Sequence, residues 1–523
     1  MANPRRHDAL VAWIAVATHA TALRSGFIWL DHAHVEDGLA VASPHAWLTL
    51  FTQGFAGTGY YRPLMALALS IDAALGQGAW LFHATTVLWH AAAAVLTARA
   101  ASALGLSERA AVAAGVLFAV HPLSSLVAGA IAFRSEAMAA AALLALVVLH
   151  RRRSPAAGAA LLFGALAKET ALVLGPIFVV ALELDAKCPR PPLRERARVW
   201  MFEGAALAAA LGLRLAFAPS WRATMAALSP GEAVGTRLAA LAKSAVRVLA
   251  PIEVTICDAF PVTPLASASA FFGLAVALGI AYLAYERRGP ALLLAVALLP
   301  SLQLVPVMRW WSPHYLYVPF AFAAMLIAER VADAGAVLQR VAFGTAAILG
   351  AFTFTVDLRF ENDATLWSDE VRAEPACREG HFYLAEVARE QRRLDAAAGS
   401  YQRAIATTEG MLSYVDRVPA MQNLGVVRLE QGRFAEARGA LRAALAVAND
   451  EGVRRRLLHN LATAELRAGN PEEAARLLEG EVARSDALPA SIVLRARAVE
   501  TLGRSDEARA LLRRLHARLP SSP

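Results

Sequence analysis

The sequence predicts an all-α chain in two parts: a polytopic bundle of membrane-spanning helices over residues 1–356, then a solenoid of helix pairs over 357–523. Three observations carry this reading. The 523 residues are 57% hydrophobic and 18% charged, with a mean hydropathy of +0.44. Soluble domains carry roughly 45–50% apolar and about 25% charged residues. The bias is also uneven: long apolar stretches alternate with short polar loops up to Val356, and charge becomes dense from Asp357 onward. Beyond that boundary, small and large apolar residues recur with the spacing of helix pairs. This composition excludes a disordered chain, which needs low hydrophobicity. Three cysteines exclude a disulfide scaffold.

The first part holds about eleven expected spans, judged against the ~20 apolar residues that cross a bilayer. They fall near 9–29, 79–103, 109–121, 125–149, 156–168, 169–185, 197–217, 265–285, 290–308, 314–331 and 335–356. Tight re-entries are expected at His121-Pro122 and Lys168-Glu169. Basic clusters lie at Arg5-Arg6, Arg151-Arg152-Arg153, Arg190 to Arg198, Arg287-Arg288 and Arg330 to Arg340. With the N-terminus inside, all of them fall in the cytoplasm, as the positive-inside rule requires. The net charge of +8 is then a topology signal, and no nucleic-acid partner is expected. The first span also reads as a cleavable signal peptide ending at Ala20-Thr21-Ala22. The Ala- and Arg-rich composition fits a bacterial chain. On that basis the membrane is the inner membrane and the outer compartment a periplasm.

In the second part, Leu384-Ala385, Leu424-Gly425 and Leu461-Ala462 each precede an alanine twelve residues later, at Ala397, Ala437 and Ala474. Tyr401, Leu441 and Leu478 follow those alanines at one helical turn, and Ala508 with Leu512 continues the pattern. The alanines stand 40, 37 and 34 residues apart. This is the alternation of a tetratricopeptide repeat, a helix pair of about 34 residues. About four units are expected, with turns at Gln431-Gly432-Arg433 and Ala468-Gly469-Asn470 inside two of them. Stacked pairs leave a concave groove. With an odd number of spans, the array lies outside the cytoplasm.

Polar residues at the ends of apolar spans are costly and point to function. On this topology they gather on the outer face: Asp31, His32, His34, Glu36, Asp37, Tyr60-Tyr61-Arg62, His121, Arg134, Glu136, Lys168, Glu169, Arg309, Trp310-Trp311 and His314. Asp31, at the end of the first span, reads either as a catalytic base near the bilayer surface or as a solvated loop residue. Arg134 and Glu136 read as functional or as an internal ion pair. Lys168 suits a phosphate, or a partner for Glu169 or Glu136. Arg309 beside two Trp, His314 and Tyr317 suits a phosphate through forked hydrogen bonds, in a loop whose aromatics also serve as interface anchors. No phosphate-binding Gly-rich loop, HExxH or CxxC motif is present. The constellation suits transfer of a group from a lipid-phosphate donor.

The run Tyr61-Arg62-Pro63-Leu64, with His83 and His90 in the next helix, resembles the transmembrane-and-TPR O-mannosyltransferases, polytopic C-type glycosyltransferases. Further matches are Leu117-Phe118-Ala119-Val120-His121-Pro122, the Arg134 and Glu136 pair, Ala167-Lys168-Glu169, His314-Tyr315-Leu316-Tyr317-Val318-Pro319 and Thr365-Leu366-Trp367. They occur in the family's order along nearly the whole chain. The resemblance implies an extracytoplasmic site, a polyprenyl-phosphate sugar donor and protein hydroxyl acceptors. Related transferases use an acid of the first external loop as catalytic base. Family members usually carry two adjacent acids there; here the matching pair is Leu30-Asp31.

The expected function is therefore an inverting membrane glycosyltransferase that moves a mannose-like sugar to a protein hydroxyl. Asp31 is the expected base, with Asp37 beside Glu36 as a substitute. Lys168, Arg134 and Arg309 are expected to bind the donor phosphate. Tyr61, Arg62, His121, Glu136, Glu169, His314 and Tyr317 are expected to position loop and substrate. No cofactor is required beyond the lipid-linked sugar, and no metal, although Glu36 with Asp37 suits a divalent ion. The repeat groove is expected to hold a protein or peptide acceptor. Two alternatives stay open: a non-catalytic membrane scaffold with a degenerate transferase core, which the missing first acid favours, and a transporter, against which the one-sided polar groups and absent internal symmetry count.

Overall fold

The computed structural model describes residues 4–185, 191–218, 228–286, 289–303 and 309–517. Arg190, Arg287-Arg288 and the end of the expected 290–308 span lie outside the described residues. Two compact units result, Met1–Asp369 and Glu370–Pro523. The segment 357–369, assigned to the repeats by its charge density, therefore packs with the first unit. Asp357 explains why: its carboxylate is fully buried against His19 at 2.6 Å.

The first unit contains α1 (Pro4–Thr18), α2 (Pro63–Leu75), α3 (Ala79–Ala103), α4 (Glu108–Val120), α5 (Ser125–Gly129), α6 (Arg134–Arg151), α7 (Ala156–Ala167) and α8 (Glu169–Leu184). It continues with α9 (Leu193–Phe217), α10 (Pro230–Leu249), α11 (Ala268–Glu286), α12 (Pro290–Ala297), α13 (Tyr317–Ala332), α14 (Ala336–Val356) and α15 (Asp363–Ala373), which runs past the division. Helix α6 is the axis. It is apolar around its circumference, as a helix buried on all sides must be, and α3, α7 and α8 pack on it. Its run of alanines lets neighbours approach closely. A side chain at Gly164 of α7 would come within 2.9 Å of Ala142, and this contact seats the α7 end that carries Lys168. By contrast α11 and α14 are apolar yet expose Phe271, Leu278, Tyr285, Phe343 and Ile348, the surface expected toward lipid.

The expected count of eleven spans meets a stricter measure here. Among the described residues, six helices are long and apolar enough to cross a membrane: Ala79–Ala103, Ile131–Arg151, Leu193–Phe217, Ala268–Glu286, Pro313–Ala332 and Ala336–Glu361. A seventh forms if Glu108–Val120 and Pro122–Gly129, bent by 53°, are one broken span. The other expected spans are shorter helices cut by local chemistry. His121 is extended ahead of Pro122, as residues before proline tend to be, and Lys168 is extended between α7 and α8. Helix α10 has no counterpart among the expected spans. Its start was legible: Ser229 and Glu232 form a capping box around Pro230.

The second unit is the expected solenoid. Four helix pairs are formed by α16 (Arg378–Glu390) with α17 (Leu394–Ile405), α18 (Arg417–Glu430) with α19 (Phe434–Val447), α20 (Glu451–Arg467) with α21 (Pro471–Leu477), and, after the short α22 (Glu479–Ala483), α23 (Pro489–Thr501) with α24 (Ser505–His516). The periodic residues Ala385, Ala397, Tyr401, Ala437, Leu441, Ala474, Leu478 and Ala508 are buried, but Leu512, expected to continue the pattern, is exposed and Leu511 is buried in its place. Gly432 and Gly469 take φ of 74° and 84° at the turns within their pairs, where a residue with a Cβ is strained.

Candidate functional site

Three ends of helices meet around two carboxylates. Arg62 stands just before α2, whose first residue is Pro63. Glu136 lies in the first turn of α6, and Lys168 and Glu169 link α7 to α8. The side chain of Glu136 forms a close ion pair with Lys168 Nζ and faces His314 Nε2 at 3.7 Å. Glu169 accepts from Arg62 Nε and pairs with its Nη2, both at 2.9 Å, and takes the Tyr61 backbone N–H at 3.1 Å. The Arg62 guanidinium lies 4.3 Å over the Tyr60 ring. His314 is within electrostatic reach of Lys168, Arg309 and Arg62. Its ring meets Phe133 at 4.7 Å, and its Nδ1 bonds Ser312 at 2.6 Å.

Arg309 stands 5.1 Å over the Trp29 ring, and its backbone oxygen accepts from Gln303 and Tyr315. Tyr61 is buried and donates its hydroxyl to Phe51 O at 2.8 Å, which fixes the loop ahead of Arg62. Seven expected site residues therefore come together: Tyr61, Arg62, Glu136, Lys168, Glu169, Arg309 and His314. The side chains of Lys168 and Arg62 retain 10% and 13% exposure, enough for an edge to face a ligand.

Other expected site residues stand elsewhere. Arg134 is not in this cluster. It is fully buried, paired with Asp72 at 2.6 Å, and donates to Thr86 and to Phe82 O at 2.9 and 2.6 Å. It ties α6 to α2 and α3. Asp31 is fully buried too. One oxygen accepts from Ala132 N at 2.7 Å and the other from Ile131 and Ile28 N at 3.3 and 3.4 Å. Such a carboxylate closes a turn and is not presented to a substrate. Burial pushes its pKa up to about 7 against the opposing backbone bonds. His121 caps Leu123 N, bonds Val248 O at 3.1 Å and packs on Phe320. Tyr317 bonds His90 at 2.7 Å in the core. Asp37 is exposed at the end of the loop turn.

A second group was not anticipated from the sequence. Asp363 accepts from Trp29 N at 2.9 Å, Trp367 Nε1 at 3.0 Å and His32 Nε2 at 2.7 Å. Trp29 itself has φ of 54°, a costly backbone state for a bulky residue, held between Phe133 and Trp367. The other nitrogen of His32 meets Glu36. The bond to Asp363, joined by Glu36 and opposed by burial, pushes the His32 pKa up to about 9. Because the folded value exceeds the ordinary 6.5, this stabilisation is complete below about pH 6.5 and is lost as pH rises through about 9. The His32 side chain is 42% exposed, so solvent weakens the effect. The melting temperature of the wild type should fall over that range more than that of His32→Gln; equal slopes would refute the assignment.

Among the described residues no cluster of His, Cys, Asp and Glu is arranged to hold a metal ion.

Comparison with known proteins bears on both units. Residues 417–484 match one tetratricopeptide repeat family, and 364–411 with 459–523 match another of the same description. Over 208 residues the chain is 28% identical to the Protein O-mannosyl-transferase Tmtc2 of Drosophila melanogaster. That match takes in 35% of this chain and 22% of the fly protein. The C-terminal region is thus a tetratricopeptide-repeat array, and part of the chain is similar to a protein O-mannosyltransferase.

Proposed function

We propose that this protein is a C-type membrane glycosyltransferase that moves a sugar, mannose-like, from a polyprenyl-phosphate donor to a protein hydroxyl, with inversion. The convergence of Arg62, Lys168, Arg309 and His314 around Glu136 and Glu169 supports it most. On this reading Arg62, Lys168 and Arg309 stabilise the departing lipid phosphate as its charge develops. Glu136 and Glu169 hold two of those cations in place beforehand, so little reorganisation is left for the reaction itself. The repeat groove binds the acceptor polypeptide and raises its effective concentration at the membrane. The site faces the periplasm of a bacterial inner membrane, with the N-terminus inside.

One observation favours a second reading, a membrane-anchored repeat scaffold. Asp31 has both oxygens occupied by backbone N–H groups, and its neighbour is Leu30 where the resembling family has an acid.

Native mass spectrometry of the purified chain in detergent, with a polyprenyl phosphate added, separates the two. A transferase retains the lipid, and Arg309→Ala weakens it. Equal retention by wild type and Arg309→Ala, or none by either, would favour the scaffold.

A further inference from the structure

We propose that His34 is the proton acceptor of the transfer reaction, a role that rests on the function proposed above. Asp31 is taken by three backbone N–H groups. Glu136 is held by Lys168, and Glu169 by Arg62 and Tyr61 N. Asp363 is taken by Trp29, Trp367 and His32, and Glu36 pairs with His32. Each of these carboxylates is committed to holding a cation or a turn.

His34 is not. It sits in the π-helical turn His32–Glu36, a geometry often found at functional sites. Its ring stands edge-on to Phe55 at 5.0 Å, and its backbone oxygen accepts from Ala40 N at 3.2 Å. Phe55 and Ala40 line a small recess of about 10 Å³ together with Leu39, Gln53 and Arg62, beside but not including His34. His34 Nδ1 is buried without a hydrogen-bond partner. A buried polar atom left unpaired is rare and calls for a reason; an arriving hydroxyl supplies one. Burial, and then the positive charge of Arg62, push its pKa down to about 4, so the imidazole is neutral at physiological pH and a weaker base than a free one; the role rests on its unpaired Nδ1. Arg62 is paired with Glu169, and the charged groups on the turn itself are His32, Glu36 and Asp37.

The acceptor hydroxyl oxygen bonds to the anomeric carbon as the bond from that carbon to the phosphate oxygen breaks, its electron pair staying on the phosphate. The hydroxyl proton passes to the imidazole, which becomes an imidazolium and later returns the proton to solvent. A phosphate against Arg62 offsets only the smaller of the two effects that lower the basicity of His34, burial being the larger.

The test uses the full chain in nanodiscs with a radiolabelled polyprenyl-phosphate sugar. His34→Gln should lower kcat by about a hundredfold or more while leaving polyprenyl phosphate binding unchanged, and it should remove the acid limb of the wild-type pH–rate profile. His34→Ala should regain part of its rate when free imidazole is added. Near-wild-type kcat with the same acid limb in His34→Gln would overturn the assignment. So would loss of donor binding equal to the loss of rate, without imidazole rescue of His34→Ala, because that is a structural role. If Asp37→Asn alone abolishes transfer, the acceptor is Asp37. No transfer by wild type with normal lipid binding would instead sink the function proposed above, and His34 with it.

Discussion

With alanine at Lys168, sugar transfer should fall by about two to three orders of magnitude, the usual cost of removing one group that meets developing negative charge. Stability should fall as well. The ammonium pairs with Glu136 in a setting where the two side chains are 10% and 4% exposed, and deleting one partner of a buried pair leaves the other uncompensated, at about 3–5 kcal/mol. The two effects separate in a double variant. Glu136→Gln with Lys168→Met removes both charges and should recover most of the lost melting temperature but none of the transfer. A double variant that regains transfer would show that Lys168 acts only by holding Glu136.

Arg134→Met should lose stability without losing the donor site. Arg134 is fully buried and Asp72 nearly so, 2.6 Å apart. Losing the guanidinium also removes its bonds to the Thr86 hydroxyl and the Phe82 oxygen. The expected cost is again about 3–5 kcal/mol, read as a large drop in melting temperature, and Asp72→Asn should cost a similar amount. Protein that remains folded should bind polyprenyl phosphate as well as the wild type. Weakened lipid binding at unchanged stability would return Arg134 to the donor site.

These two residues show what the sequence could reveal. Both are cations near the ends of apolar stretches, and hydropathy treats them alike. Lys168 joins the cluster because α7 ends one turn after Gly164 packs on α6, whereas Arg134 finds a carboxylate on α2. Asp72 was a visible signal, a lone acid in the apolar run Leu69-Ser70-Ile71-Asp72, since a buried charge needs a partner. The repeats were legible apart from the last unit, where Leu511 and not Leu512 is buried, because each pair buries its own neighbour and its spacing is local. The Asp31 geometry was not. Its partners Ile131 and Ala132 lie a hundred residues away, and the left-handed Trp29 two residues before it leaves no mark in composition or period. The breaks at His121-Pro122 and Lys168-Glu169 were legible as tight re-entries; the span count was not, because helices they divide, such as Glu108–Val120 and Ala156–Ala167, are shorter than a crossing helix.

The most direct measurement is label transfer from a radiolabelled polyprenyl-phosphate sugar to envelope protein by the purified wild-type chain, beside Lys168→Ala. The account predicts labelled protein with the wild type and essentially none with the variant. No label with mannose or any other polyprenyl-phosphate sugar, from protein that still captures envelope partners through residues 380–520, would contradict it and leave a scaffold built on a transferase fold.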